Sequence, residues 1–440
     1  MIFDVCNQPN LKTMKTKIIP IITLLMLFPV LFQSCEDANY REYDGYAPVY
    51  MSYEDLREAI KTVQNQELEN PGKIYYKDDY IFIVEEMKGI HVFDNSDPSS
   101  PVKKAFVVIP GVVDMSISGY ILYADSFVDL VMLDVQNIDN IREVGRVKDV
   151  LPFTVPPVDD DYPMAYVDQK KGVVVDWEFR TIKERIYDQP IIWPVYYRAG
   201  LEFLDSKNAM GASSGVSGSG TGFGGSMARF GLLDKVLYIV DQNTLRVFDI
   251  TSRTEPKKMG DFYPGWNIET MFLTERNMFL GTTTGMIILD LSNPLVPVNI
   301  AFFNHARSCD PVIVDDTLAY VTLRSGTTCG GNLNCLDVVN IKNLKAPQLM
   351  ATYPLSNPHG LGKSGDLLFI CDGNAGLKIY DSQDPRNIAG RLIYSYPNIN
   401  AYDVIPVGDL LVMIGDDGLY QYSFSDIRNI TLLSRIEVGK

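Results

Sequence analysis

The stretch VFDITSRTEP, from Val247 to Pro256, combines an apolar strand that ends in Asp with a polar turn and a Pro. The same phrase, closed by Pro or Ile, recurs along the chain of 440 residues. Its marker residue is in turn Asp94, Asp134, Asp249, Asp290, Asn340, Asp381 and Ser423. Short strands that repeat about every 40 residues are typical of toroidal repeat proteins. The repeat therefore predicts an all-β protein.

Each repeat reads as four strands, and four-stranded repeats of this length close into a β-propeller. Seven copies predict seven blades, within a range of six to eight, because the long interval after the second copy has room for another blade. We expect the propeller to occupy residues 72–440, with an insertion, residues 151–225, between blades two and three. The marker Asp has a structural interpretation, since a carboxylate at a strand end accepts amide hydrogens from the following turn.

Residues 1–34 have the features of a signal peptide. Translation is expected to start at Met14 rather than Met1, because Lys15 and Lys17 give a cationic start to the apolar run Ile18 to Phe32, which is of signal-peptide length. Cys35 follows Leu-Phe-Gln-Ser and resembles the lipobox cysteine of bacterial lipoproteins, which becomes the acylated first residue and carries palmitate-type chains. The alternative is an ordinary cleaved signal with a chance Cys. Residues 35–71 are then expected to form a tether with one short helix, beginning after Ser52.

Charge and cysteine content restrict the function classes. The net charge of −16 argues against nucleic-acid binding, which needs a basic surface, and against electrostatic docking on anionic lipid. An exported chain reaches an oxidising compartment, and Cys329 and Cys335 flank a short turn-rich loop. We therefore predict a local disulfide between them. Cys309 and Cys371 are expected to be buried free thiols.

The second strands carry a family resemblance. LYIVD (Leu237–Asp241), LFICD (Leu368–Asp372) and IFIVE (Ile81–Glu85) resemble the LVIVD repeat of predicted β-propeller lipoproteins from Bacteroidetes-type bacteria. The resemblance extends over essentially the whole mature chain. It implies a lipid-anchored propeller at the outer membrane, either periplasmic or surface-exposed, with no assigned activity. No catalytic residue is implied by it.

Two irregularities of the repeat are expected on one face of the ring. They are the 151–225 insertion and the loop around Cys329–Cys335, and insertions on a single face commonly build binding surfaces. The alternative is a pair of tolerated surface loops. The insertion carries four aromatic residues that suit stacking on a sugar or a protein hot spot, or else form the loop's own small core: Trp177, Trp193, Tyr196 and Tyr197.

A second candidate site lies where the inner strands begin. Polar residues recur there and should surround the upper mouth of the central channel: Asp114, Arg229, Glu269, Asp310, His359 and Asp403. Four acids against one Arg could hold a cation, with Ca²⁺ as the candidate, or receive a basic peptide or an amino sugar. The alternative is a hydrated channel in which Arg229 pairs with its acidic neighbours. No other cofactor is expected, and no metal site is assigned.

These features favour an exported, lipid-anchored propeller that acts as a binding or scaffold module. Its expected partners are the membrane, through the acyl anchor, and an envelope protein or glycan. One alternative is a glycan-active hydrolase or lyase at the propeller mouth, where Asp310 and His359 would form the acid/base pair. Another is a structural subunit of an outer-membrane complex. The sequence contains no catalytic signature, so an enzyme is the less favoured interpretation.

Overall fold

The computed structural model describes residues 40–64, 66–158, 161–185, 195–196, 223–224, 226, 228–305, 311–325 and 333–439. The described chain begins with β1 (Tyr40–Met51), α1 (Tyr53–Glu58) and β2 (Lys61–Val63). Helix α1 starts after Ser52, whose Oγ accepts the backbone N–H of Asp55 at 3.0 Å. The expected short N-terminal helix is confirmed. The remainder of the segment expected as a tether differs, because β1 and β2 are both paired strands.

Two blades follow, and then the described parts of the insertion. Blade one comprises β3 (Pro71–Lys77), β4 (Tyr80–Glu85), β5 (Gly89–Asp94) and β6 (Val102–Val108). Blade two comprises β7 (Met115–Ser118), β8 (Ile121–Ser126), β9 (Asp129–Asp134) and β10 (Arg142–Val147). The insertion contributes β11 (Thr154–Val155), β12 (Val173–Arg185), β13 (Val195–Tyr196) and β14 (Phe223–Gly224).

Five further blades complete the chain. Blade three comprises β15 (Phe230–Leu233), β16 (Val236–Val240), β17 (Leu245–Asp249) and β18 (Lys257–Phe262), and blade four β19 (Ile268–Leu273), β20 (Asn277–Thr282), β21 (Gly285–Asp290) and β22 (Val298–Asn304). Blade five comprises β23 (Val312–Asp315), β24 (Leu318–Leu323), β25 (Cys335–Asn340) and β26 (Gln348–Pro354). Blade six comprises β27 (Leu361–Ser364), β28 (Leu367–Cys371), β29 (Leu377–Asp381) and β30 (Leu392–Tyr396), and blade seven β31 (Ala401–Val407), β32 (Leu410–Gly415), β33 (Gly418–Ser423) and β34 (Thr431–Glu437). Short 3-10 turns lie at Ile138–Asn140, Gln169–Lys171 and Ala389–Arg391.

Every blade is a meander whose four strands run in sequence order from the channel outward. The predicted seven-bladed all-β propeller is confirmed, and the described part of the insertion contains no eighth blade. The second strands are almost wholly buried, since each lies between its neighbours within the blade and packs against adjoining blades. This explains their continuous apolar runs. In all seven blades the pairing of the third strand with the fourth contains a register shift, which adds to the twist of the blade.

The marker residue of the repeat has the structural role expected for it. In six blades its side-chain oxygen accepts the backbone N–H two residues later, at 2.8–3.1 Å, from Ser96, Gln136, Thr251, Ser292, Lys342 and Gln383. In blade seven the variant Ser423 contacts the Ser425 hydroxyl at 3.1 Å. The repeated acid therefore initiates the turn that leads into the outer strand.

The ring closes without exchange of strands, because each of blades one and seven supplies its own four strands. Asn95 and Gln421 exchange two amide hydrogen bonds across this junction, at 2.7 and 2.8 Å. The N–H of Gly439 also donates to the carbonyl of Leu68 at 2.7 Å. A shared apolar cluster that includes Ile74 and Ile414 packs the two blades together. Side-chain packing and a few long-range hydrogen bonds therefore hold the two ends of the chain together.

Strands β1 and β12 form a two-stranded antiparallel ribbon, which we call the arm. Its base lies on the upper face of the ring, defined as the face at which the inner strands begin. There Leu56 of α1 packs with Val173 and with Phe127 and Val128 from the turn between β8 and β9. The far end of the arm is the Tyr40↔Arg185 pair. A strand of this length spans about 40 Å, so the arm joins the N-terminal region to the upper face.

Candidate functional site

The residues predicted for the channel mouth do lie where inner strands begin, but three of them are buried. Asp114 is 4%, His359 2% and Asp403 0% exposed, whereas Arg229 and Glu269 are half-buried. Asp310 lies outside the described residues. The buried side chains face neighbouring blades and backbone more than an open mouth.

Asp114 joins blade two to blade three. Its carboxylate accepts the backbone N–H groups of Met115 at 2.7 Å, Arg229 at 2.5 Å and Phe230 at 3.3 Å. The Arg229 Nε in turn donates to the carbonyl of Val240 at 3.0 Å. A buried carboxylate with three N–H donors positions the start of blade three, which is a structural role.

Lys73 adds a buried charge that the sequence pattern missed. It is 6% exposed and lies within electrostatic reach of Asp114 and Asp403. Burial lowers the pKa of Lys73, and the two carboxylates oppose that shift. Burial likewise raises the pKa of Asp403 well above its ordinary range, with the Val404 N–H and Lys73 opposing. The charge of Lys73 and those of the two nearby acids offset one another, so little net charge is buried. This explains how the inner ends of blades one, two and seven accommodate these groups.

The acid that ends the LVIVD-like second strand holds the connection from the preceding segment. Glu85 accepts the N–H groups of Glu69 and Asn70 at 3.0 and 2.7 Å. Asp125 and Asp372 do the same in blades two and six: Asp125 accepts the N–H groups of Val113 and Asp114, and Asp372 those of Ser356 and Asn357. In blades one, three and six the acid also pairs with a third-strand base, in the pairs Glu85–His91, Asp241–Arg246 and Asp372–Lys378. The motif therefore fixes blade geometry and supplies no exposed reactive group.

The buried Asp125 gives a testable pH dependence. Burial raises its pKa to about 6, against the two N–H bonds that it accepts. Because the pKa of Asp125 is higher in the folded than in the unfolded chain, protonation of this carboxyl stabilises the fold. This contribution to the free energy of unfolding is complete below the unfolded pKa and is lost as the pH rises through about 6. Asp125→Asn keeps the acceptor oxygen and removes the titration, so its stability relative to the native chain should rise by about 2–3 kcal/mol between pH 4 and pH 7. Urea unfolding at several pH values measures this difference. A difference that stays constant with pH would contradict the assignment.

The central channel contains a segment of this chain. Strand β14 pairs antiparallel with the inner strand β3, with Phe223 opposite Tyr76 and Gly224 opposite Tyr75. It also contacts the inner strand of blade seven. Ser226 is fully buried, and its Oγ accepts the Leu361 N–H of blade six at 3.4 Å. The end of the Gly/Ser-rich run thus lies along the inside of the ring.

His359 is almost completely buried. Its Nε2 lies 3.1 Å from the Asn357 side-chain nitrogen, and its ring is 5.6 Å from that of Tyr402. Burial, with nearby Arg324, lowers the pKa of His359 well below its usual value. The imidazole is therefore neutral near pH 7. Its proposed acid/base partner Asp310 is not among the described residues.

The aromatic candidates of the insertion separate into two groups. Trp177 lies in the arm opposite Pro48, half-buried, and its Nε1 donates to the carbonyl of Pro156 at 2.7 Å. The backbone of Tyr196 belongs to β13, which pairs with β11. Trp193 and Tyr197 lie outside the described residues, so their prediction as binding residues is not tested.

The predicted disulfide and the predicted Ca²⁺ site each include a residue that lies outside the described ranges. Cys335 is a buried free thiol, and Cys329 lies outside the described residues, so the disulfide between them stays a prediction. Within the described residues, no group of three or more His, Cys, Asp or Glu side chains could hold a metal ion. The Ca²⁺ prediction, which included Asp310, also stays untested. Cys371 is buried and free.

The most exposed aromatic residues lie at a place that sequence reasoning missed. Trp266 is 78% and Tyr263 73% exposed, both in the connection between blades three and four. The available signal was the run Tyr-Pro-Gly-Trp, in which two large aromatics occupy a turn-forming sequence.

A comparison with known protein families identifies one copy of the repeat. The sequence model of the LVIVD repeat matches residues 72–107, which form most of blade one. The chain contains an LVIVD repeat. No curated protein matches the sequence. The described residues include no helix long and apolar enough to cross a bilayer.

Several solved structures are similar to the chain at low identity. The computationally designed Ika8 protein is 8% identical, with a TM-score of 0.49, over 85% of this chain and 91% of that chain. BamB from Moraxella catarrhalis is 10% identical, with a TM-score of 0.45, over 86% and 92% of the respective chains. Sqt1 from Saccharomyces cerevisiae is 8% identical, with a TM-score of 0.49, over 89% and 90%.

Proposed function

We propose that this protein is an exported, lipid-anchored β-propeller that acts as a binding or scaffold module at the cell envelope. The observation that carries the proposal is the elaboration of a single face. Helix α1, the base of the arm and the start of β12 all pack over the upper face, through Leu56 and Val173. Several of the described segments that depart from the repeat therefore meet at one surface, as expected for a repeat protein that binds a partner there.

The arm supports the lipid anchor of the proposal. Cys35 precedes Tyr40 by five residues, a length of chain that spans at most about 18 Å. Tyr40 is at the end of the arm farthest from its base on the ring. An acyl group on Cys35 would therefore attach to one end of a two-stranded spacer whose other end joins the upper face. Location in the outer membrane, periplasmic or surface-exposed, is part of this proposal.

The alternative of a glycan-active hydrolase or lyase at the propeller mouth has less support. Asp114 and His359 are buried and hydrogen-bonded to protein groups, and β14 occupies the channel beside them. A general acid or base must reach a substrate proton, and these side chains face packed protein. The described residues therefore favour binding over catalysis at this position.

An affinity pull-down from native envelopes tests the proposal. The full lipoprotein is compared with a variant in which residues 186–222 are replaced by a Gly-Ser link of about 20 residues, which is long enough to run from the far end of the arm to β14. We expect an envelope protein or glycan that is captured by the native chain and lost in the variant. All seven blades are retained, and circular dichroism checks that the ring of the variant is folded. Identical empty eluates from both proteins would contradict a binding function for the insertion.

A further inference from the structure

We propose that the connection between blades three and four is a binding site for a neutral glycan, with Trp266 and Tyr263 as its stacking residues. This inference rests on the proposed binding function and names a ligand class and a second location for it. These two side chains are the most exposed of the large apolar residues that the structure describes, and exposed aromatic rings are common in ligand-binding surfaces. Trp266 and Tyr263 are 78% and 73% exposed.

The connection is rigidly held beneath the exposed rings. The Ile268 N–H donates to the carbonyl of Gln242 at 2.8 Å, and the Thr283 N–H donates to that of Asn267 at 3.2 Å. The Asn299 amide donates to the carbonyl of Pro264 at 3.2 Å. These bonds join the connection to blades three and four on either side. The indole is thus presented on an ordered backbone, which reduces the entropy lost when a ligand binds.

The backbone geometry adds to this order. Asn267 adopts a left-handed conformation, with φ of 53°, and its side-chain amide donates to the Thr283 hydroxyl at 3.2 Å. Gly265 lies close to blade four, because an added Cβ would be 2.6 Å from Ile287 Cδ1. The turn is therefore packed against blade four, while Trp266 between these two residues projects outward.

The connection that carries the indole is itself uncharged. Residues 262–268 and the neighbouring turn 282–285 contain no charged residue, and the acids Asp261 and Glu269 flank the connection on either side. The partly or fully exposed polar side chains are amides and hydroxyls: Gln242, Asn243, Asn267 and Thr284. The nearby Asp241 and Arg246 pair with each other.

This combination matches the chemistry of a neutral sugar. A pyranose ring presents an apolar C–H face that stacks on an indole and a rim of hydroxyls that hydrogen-bond to amides. An anionic ligand would find no basic side chain in residues 262–268 and would be repelled by the flanking Asp261 and Glu269. The exposed amides and hydroxyls beside the aromatic rings are the hydrogen-bond partners that the hydroxyls of a glycan need, which favours a glycan.

Affinity electrophoresis tests the inference with the full chain in a detergent that carries no sugar headgroup. The gels contain starch, xyloglucan, arabinoxylan or galactomannan as neutral probes, and polygalacturonate as a charged one. We expect at least one neutral polysaccharide to retard the native protein, and Trp266→Ala to weaken that retardation at least tenfold. Tyr263→Ala should weaken it to a smaller degree. Tyr120→Ala is the matched control, since Tyr120 is 57% exposed in the turn between β7 and β8 on the opposite face.

Three results would overturn the inference: no neutral probe retards the native chain, only polygalacturonate does, or Trp266→Ala and Tyr120→Ala behave alike. The pull-down with the shortened insertion keeps both aromatics. A partner lost there together with unchanged Trp266→Ala behaviour would leave the binding function standing and remove only the glycan site.

Discussion

Cys35→Ala is expected to release the protein from the membrane fraction into the soluble fraction. The net charge of −16 gives no electrostatic attraction to anionic lipid, so the acyl group is the anchor we propose. Two or more acyl chains hold a protein on a bilayer stably, whereas none leaves it free. Fractionation of cells, followed by immunoblotting, measures the change. The native chain should begin at an acylated Cys35 by mass spectrometry.

Cys6→Ala is the matched control, because this cysteine lies in the expected leader, upstream of Met14, and would be absent from the mature chain. Its product should remain in the membrane fraction with the same N-terminus. A Cys35→Ala protein that sediments with membranes as fully as the native chain would refute the anchor. The propeller fold would be unaffected by that outcome.

Asp114→Ala is expected to cost about 3–5 kcal/mol of unfolding free energy. The change removes the acceptor of the Met115, Arg229 and Phe230 N–H groups, and each buried unsatisfied group costs about 1–3 kcal/mol. It also removes a carboxylate near the buried Lys73. Denaturant unfolding measures the loss, and Asp114→Asn, which keeps an acceptor oxygen, should lose less.

The control for this prediction is Asp97→Ala. Asp97 is exposed and accepts only the Ser99 groups in the turn after β5. Its replacement should cost less than about 1 kcal/mol, because water can solvate the exposed N–H. Equal losses in the two variants would show that Asp114 does not join blades two and three as the geometry implies.

The architecture was predictable because the repeat depends on interactions between residues that are close in sequence. Each Asp or Asn that starts a turn bonds an N–H two residues away, so the sequence pattern and the structure report the same short-range interaction. Helix α1 was predictable for the same reason, from the cap at Ser52. Local patterns of this kind can therefore be recognised in each copy of the repeat.

The parts that were not predictable depend on pairing between distant segments. Phe223 and Gly224 follow a Gly/Ser-rich run without strand periodicity, and their partners Tyr76 and Tyr75 are in blade one. Strand β1 was expected as tether because its partner β12 lies beyond two complete blades. At the channel, polar type and spacing located Asp114 and Asp403 but could not indicate that packing would bury them. The pattern of polar residues in the inner strands did not include blade one, so it did not indicate Lys73 of β3.

The strand inside the ring also bears on the order in which the molecule can be assembled. During synthesis, blade one emerges first, and β14 follows while the inner edge of β3 is still open. Leu361 and the inner strand of blade seven, which contact the same segment, are made later. The later blades can therefore fold around β14 after it has already paired with β3. A circularly permuted gene that starts at blade three would reverse this sequence and require the segment to be threaded into a nearly finished ring.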